Sequence, residues 1–246
     1  MINEQFIHEH TLKECLEAFK GARSNGTESR LDSVTKEFQL LARKFLFGGF
    51  IRVGDTYDIY LRNIEFYYHE EVKSEDQIKD PMVYHRNGKF PGKKLPPFPL
   101  MSIHVHWSGF DIAFEDPAGN YRASVLVRDY IVIEHKESEE RGYVRLQTAK
   151  LLPENRVDED GWRIEGYNEV VPEPFVMHNP LYLHYYLNGF SMDGSPSQIR
   201  WEEIPNAQLG MPKSYYRKRV YNDPQKSDPD KRMWAFYRDD QLPNIG

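Results

Sequence analysis

Three features of this sequence place reactive side chains where chemistry would need them: an acid inside one apolar run, an arginine inside another, and two histidines separated by a single residue. The acid is Glu65, in Asn63-Ile64-Glu65-Phe66-Tyr67-Tyr68-His69-Glu70-Glu71. Successive strand side chains point to opposite faces, so Ile64, Phe66 and Tyr68 share one face while Glu65 and Tyr67 share the other. An acid beside aromatic rings either lies on the solvent side of a half-exposed sheet, which is the commoner case, or sits in a pocket where its orientation and protonation are used. Arg128, in Ala123-Ser124-Val125-Leu126-Val127-Arg128-Asp129-Tyr130, repeats the oddity with the opposite charge. A buried arginine needs a carboxylate or a polar network to offset its desolvation, and Glu65 is the natural candidate. A carboxylate held in that way stays ionised and can act as a general base toward water. A purely stabilising ion pair would use the same two residues.

The histidines are His104 and His106, on one face of a strand in Ile103-His104-Val105-His106-Trp107. With Glu65, His85, Asp111 or Glu115 they could supply metal ligands, which would make a metal-dependent hydrolase. An HxH pair is weak evidence by itself, because histidines also serve as polar pocket walls. The chain has no HExxH, no Walker-type glycine loop and no GxSxG elbow, so neither a serine nucleophile nor a nucleotide cradle is indicated. Nothing in it calls for a cofactor, and no metal is assigned.

The bulk properties narrow the classes. The formal net charge is -6, so any nucleic-acid contact must come from a local basic surface. Two stretches could provide one: Arg86, Lys89, Lys93 and Lys94 in a loop rich in proline and glycine, and Arg217, Lys218 and Arg219 near the end. The only cysteine, Cys15, falls at an apolar position of a helical pattern, which excludes an internal disulfide and fits a reducing compartment. No run approaches the ~18 apolar residues of a membrane span, and the first residues lack the pattern of a secretory signal. A soluble, cytoplasmic, monomeric protein is expected.

The elements that must position these residues follow from periodicity. Leu12, Cys15, Leu16 and Phe19 recur at helical spacing behind a capping box of Thr11 and Glu14, and Val34, Phe38, Leu41, Ala42 and Phe45 repeat the signal before Gly48-Gly49. Two opening helices are predicted. The period then changes to two. A hairpin about Gly54-Asp55, the Glu65 run, Ser102–Trp107, Phe110–Asp116, Tyr121–Glu134 and Gly142–Ala149 read as strands of an antiparallel sheet. The segment from Lys79 to Leu100 reads as a long irregular loop crossing one sheet face. Two further short helices are predicted, in Asn179–Phe190 and in Gly194–Ile204, and strand-like text returns in Tyr215–Asp223 and Lys231–Asp240. The expected architecture is α+β: a single domain over 1–246 with a curved antiparallel sheet, peripheral helices and a helical N-terminal extension in 1–32.

The order of these segments resembles the alkyladenine (3-methyladenine) DNA glycosylase family. The resemblance runs from Phe38 to Tyr237 through FQLLARKFLFGGFIRV, IEFYYHEE, DPMVYHRNG, SIHVHWSGFDIAFE, ASVLVRDY, RKRVYND and KRMWAFY. It implies a metal-free, cofactor-free enzyme of base-excision repair that flips an alkylated purine out of DNA and hydrolyses its glycosidic bond. Glu65 then matches the water-activating acid, Tyr67 an aromatic that stacks on the base, His85 the opposite wall of the pocket, and Arg128 the arginine that positions acid and water. The chain departs from the family where HVHWSGF stands in place of a tyrosine-rich strand. His104 and His106 roughly replace pocket tyrosines there, Ser108 replaces the side chain that wedges into the duplex, and Glu115 replaces a pocket asparagine. A missing wedge favours mismatched or single-stranded DNA, where unstacking is cheaper. The alternatives are a non-catalytic nucleic-acid or protein interaction module on the same fold, and the metal-dependent hydrolase using His104 and His106.

Overall fold

The computed structural model describes residues 2–23, 29–54, 57–80, 83, 96–106, 109–135, 143–150, 192, 199–216 and 232–238. Three helices open the chain: α1 (Glu4–Glu9), α2 (Leu12–Ala18) and α3 (Arg30–Phe47). The capping box of Thr11 and Glu14 starts α2 as the sequence predicts, and the Ser29 side chain caps α3 by accepting from the Asp32 N–H. The additional helix, α1, is started by Asn3, whose side chain accepts from the Phe6 N–H at 2.8 Å. At six residues it is too short for its period to show in the sequence.

The strands are β1 (Gly49–Val53), β2 (Tyr57–Glu70), β3 (Ile103–His106), β4 (Gly109–Ala113), β5 (Tyr121–His135), β6 (Tyr143–Lys150), β7 (Ile199–Glu203), β8 (Lys213–Tyr215) and β9 (Ala235–Tyr237). All pair antiparallel in one sheet, with the path β3-β4-β5-β2-β1-β7, β6 also on β5, and β9 on β2 carrying β8. The protein is thus a single α+β domain. Its spine is the pair of long strands β2 and β5, and each of them changes its outer partner midway. Along β2 the partner switches from β1 at Tyr57–Ile59 to β9 at Asn63–Glu65. Along β5 it switches from β4 at Ser124–Val127 to β6 at Asp129–His135.

One sequence expectation is overturned: the segment read as a helix after Ser195-Pro196 contains β7. The run Ile199-Arg200-Trp201-Glu202-Glu203 is short, and its backbone groups are satisfied by the open edge of β1 rather than by a helical turn. Gly49 permits the pairing, since a Cβ there would lie 2.3 Å from the Glu202 carbonyl oxygen. The other predicted helix, in 179–190, lies outside the described residues.

The helices cover one face of the sheet. Phe38 and Phe45 of α3 pack on Phe66 of β2, with the Phe38 and Phe66 rings stacked at 4.5 Å, and Trp234, Phe19 and Phe114 complete the aromatic centre. Ile7, Leu12, Cys15, Leu16 and Phe19 from the first nineteen residues belong to this same core. Ile64, Phe66 and Tyr68 face it, as their alternation predicts. The opposite face carries Glu65. No described helix is long and apolar enough to cross a membrane.

Candidate active site

Glu65 is fully buried, which removes the reading that it faces solvent from a half-exposed sheet. Its Oε2 accepts from the Tyr67 hydroxyl at 2.7 Å and from an Arg128 Nη at 3.2 Å. Its Oε1 lies 3.2 Å from Arg128 Nε, inside ion-pair distance, yet the N–H does not point at it and Oε1 receives no hydrogen bond. One carboxylate oxygen is therefore saturated while the other retains its lone pairs. Burial opposes the charge on Arg128, but the Glu65 carboxylate together with Tyr67 and Tyr215 outweighs it and raises the guanidinium above its ordinary value.

A defect in the β2–β5 ladder sets this geometry. Ile64 pairs with Val127 and Asn63 with Asp129, so Arg128 is an extra residue on β5; Leu61 pairs with Tyr130, so Arg62 is the matching extra residue on β2. The two bulges shift the alternation of both strands at the same level. Leu61 and Ile64 both reach the helix-side core, as do Val127 and Tyr130, although each pair is three residues apart. A bulge re-aims the side chain it inserts. Here it lies at the change of sheet partners and sets Arg128 against Glu65.

Cross-strand partners point to the same face, so register identifies what surrounds Glu65. One row runs His104, Asp111, Leu126, Glu65, Ala235 and Tyr215, and the next holds Ala113, Ser124 and Tyr67. His104 is three strands from Glu65, roughly 14 Å at about 4.8 Å per strand. The two mark opposite ends of one floor rather than a contact. Val83 and Phe98, from the segment between β2 and β3, lie over this floor: Val83 packs on Tyr67 and Leu126, and the Phe98 ring sits 3.8 Å from that of His104. Glu115 accepts from the Phe98 N–H at 2.9 Å and so anchors that segment. Beneath it, Val83, Phe98, His104, Asp111, Ala113, Glu115 and Ser124 enclose a cavity with room for about one water molecule. A base-sized ligand can enter only if Val83 or Phe98 moves aside.

His104 Nε2 lies 2.8 Å from Ser102 Oγ, whose own hydroxyl donates to the Pro99 carbonyl at 2.7 Å. Nε2 is therefore the donor. Burial lowers the His104 pKa, with Asp111 opposing. Asp111 accepts from Ser124 Oγ at 3.2 Å. His106 occupies the same face by register, opposite Gly109, but its side chain lies outside the described residues. So do His85, Arg86, Lys89, Lys93, Lys94, Arg217, Lys218 and Arg219. Among the described residues no three His, Cys, Asp or Glu side chains converge as a metal site would require.

The structure thus brings Glu65, Tyr67 and Arg128 together, and puts His104 and Glu115 at the far end of the same face. Tyr67, expected to stack on a base, uses its hydroxyl to hold Glu65 and is itself buried. Two neighbours were not anticipated. Asn63, in the same bulge, accepts from the Tyr215 hydroxyl at 2.6 Å. Only the β8–β9–β2 register places Tyr215 there, and it joins residues 152 apart in the chain. No family model, curated protein or solved structure matches the chain.

Proposed function

We propose that the chain is an N-glycosidase that hydrolyses the bond between sugar and an alkylated or otherwise damaged purine in DNA, with Glu65 as the base that directs water at the sugar carbon. The observation that carries this reading is the asymmetry of the Glu65 carboxylate. Tyr67 and Arg128 fix Oε2, while Oε1, buried beside Arg128 Nε, receives no hydrogen bond and would take the proton of a water admitted next to it. The order of sequence motifs supports the same assignment. A base made cationic by alkylation leaves its sugar without an enzymatic acid, and Asp111 and Glu115, both on the pocket floor, would favour such a cation. The Val83 and Phe98 side chains would have to move aside for the base to enter that cavity.

The test is base release from oligonucleotides carrying alkylated purines, presented as matched duplex, mismatched duplex and single strand. Glu65→Gln keeps the shape but cannot take the proton, so release per folded molecule should fall by roughly 100- to 10,000-fold, and the melting temperature should fall as well because the buried Arg128 loses its countercharge. Release by the variant at the wild-type rate rules out the assignment. The complete burial of Glu65 favours one rival, a binding module that has retained the fold without turnover. A wild-type protein that binds these oligonucleotides yet releases no base from any of them would establish it.

A further inference from the structure

The row of side chains through Glu65 does not stop at the site. It continues over β9 to Tyr215 of β8, while the adjoining row carries Asn63, Tyr237 and Lys213. All of these occupy the face opposite the helices. The Tyr215 and Tyr237 rings meet edge to face at 5.9 Å, and Lys213 Nζ sits 5.9 Å from the centre of the Tyr237 ring. Tyr215 and Tyr237 are partly exposed and Lys213 is exposed, in contrast to the buried triad beside them. Tyr216 follows with more than half of its surface open, and Arg217, Lys218 and Arg219 come next in the sequence. On a chain whose net charge is -6, an aromatic pair flanked by cations is a local departure.

We infer that the β8–β9 edge, through Tyr237, Tyr215 and Lys213, is a stacking and phosphate-contacting subsite for a nucleotide adjacent to the one at Glu65, in a single-stranded polynucleotide. The ring faces supply the sequence-tolerant platform that unpaired bases need, and Lys213 supplies the countercharge for the backbone. Duplex is a poorer match, because its bases already stack on one another and only an extruded nucleotide could reach the buried Glu65. The chemistry is common to DNA and RNA. The inference rests on the proposed function only in taking the Glu65 face as the side that receives the polymer.

Binding is read by fluorescence anisotropy on Glu65→Gln protein, so that turnover does not enter. The probes are labelled single-stranded DNA and RNA of one sequence, with heparin as a polyanion that has no bases. Tyr237→Leu should weaken binding to the oligonucleotides by about tenfold or more and leave heparin binding nearly unchanged, while Tyr237→Trp should restore oligonucleotide affinity. Lys213→Ala, which removes the charge beside the Tyr237 ring, should reduce the slope of log affinity against log salt by about 0.7. Lys20→Ala, which removes the same charge from an exposed position beyond α2, should not. Equal oligonucleotide affinity for Tyr237→Leu, Tyr237→Trp and parent, or an unchanged salt slope in Lys213→Ala, overturns the inference; so does a parent that binds neither polymer. Preference for one polymer identifies the source. If these variants behave as expected while wild type releases no base, the subsite stands and the glycosidase reading falls. If wild type releases base while the variants bind like parent, the reverse holds.

Discussion

Strand β2 carries two buried glutamates, Glu65 and Glu70, on opposite faces, and the protein treats them differently. Each accepts from a tyrosine two residues away: Tyr67 donates to Glu65 at 2.7 Å and Tyr68 to Glu70 at 2.9 Å. Each also has an arginine, Arg128 for Glu65 and Arg30 for Glu70. The difference lies in the second oxygen. Glu70 Oε2 accepts from the Ile78 N–H at 2.9 Å, so both of its oxygens are engaged. Glu65 Oε1 receives no hydrogen bond, although Arg128 Nε lies 3.2 Å away. Glu70 joins β2 to the start of α3 and to the chain leaving the strand, and the Tyr68 hydroxyl extends that network by accepting from Ala22 at 2.9 Å. A saturated carboxylate fastens elements together, whereas one with a spare oxygen can still do chemistry.

If Glu65 is the base of the proposed glycosidase, the largest difference should appear in turnover. Glu65→Gln is expected to remove roughly 100- to 10,000-fold of base release. Glu70→Gln should lower the melting temperature while leaving the rate per folded molecule near wild type. Measuring both on soluble, monodisperse protein breaks the comparison if Glu70→Gln proves equally inactive while still folded.

Next come the arginines. Arg128→Ala strands a fully buried carboxylate, which costs on the order of 3–5 kcal/mol in denaturant unfolding. Arg30 is 28% exposed, and Glu70 would keep Tyr68 and Ile78, so Arg30→Ala should cost only about 1 kcal/mol. Similar losses for the two would mean that Glu65 is relieved by another group when Arg128 is gone.

A smaller contrast separates the tyrosines. The Tyr68 hydroxyl donates to Glu70 and accepts from the Ala22 N–H, and burial pushes its phenol well above the usual range. Tyr68→Phe leaves the Ala22 N–H and a Glu70 oxygen short of partners, a loss of about 1–3 kcal/mol. Tyr67→Phe removes one hydrogen bond from Glu65, about 1 kcal/mol, but should lower turnover more than its stability loss suggests, because it loosens the reacting carboxylate. Equal turnover for Tyr67→Phe and wild type would show that Arg128 alone orients Glu65.

How much of this was legible in the sequence depends on the range of the signal. The faces of β2, the capping box of α2 and the pairing of Glu65 with Arg128 could be read because each follows from local period or from the cost of burying a charge. The strand identity of Ile199–Glu203 could not, since it depends on the open edge of β1, about 150 residues earlier. The double bulge was equally hidden: nothing in Arg62 or Arg128 alone says that each is one residue too many for its ladder. Tyr215 entered the site through two strand registers, β8 on β9 and β9 on β2. The basic residues nominated for phosphate contact in 86–94 and 217–219 lie outside the described residues, so their role stays with the proposal.

The smallest expected effect concerns two histidines on the Glu65 face, and it also contrasts an engaged group with a less constrained one. His69 Nδ1 accepts from the Asp80 N–H at 3.0 Å, a bond that requires the neutral ring. Burial lowers its pKa and Arg122 adds to the effect, while Glu71 and Asp80 oppose. His104 is lowered by burial against the pull of Asp111, but its Nε2 is a donor to Ser102 and survives protonation. Both folded-state values lie below the ordinary 6.5, so in the window beneath 6.5 the unfolded chain binds more protons than the native one. Stability should fall as the pH drops through that window, and level off for each group once its folded value is passed. His69→Gln can still accept from Asp80 but does not titrate, so it should flatten the dependence more than His104→Gln does. Melting temperatures taken between about pH 7.5 and 5.5 decide the matter: a larger flattening in His104→Gln would place the proton-sensitive contact at the cavity rather than at the Asp80 turn, and a wild-type curve that is flat over that range would show that neither histidine makes it.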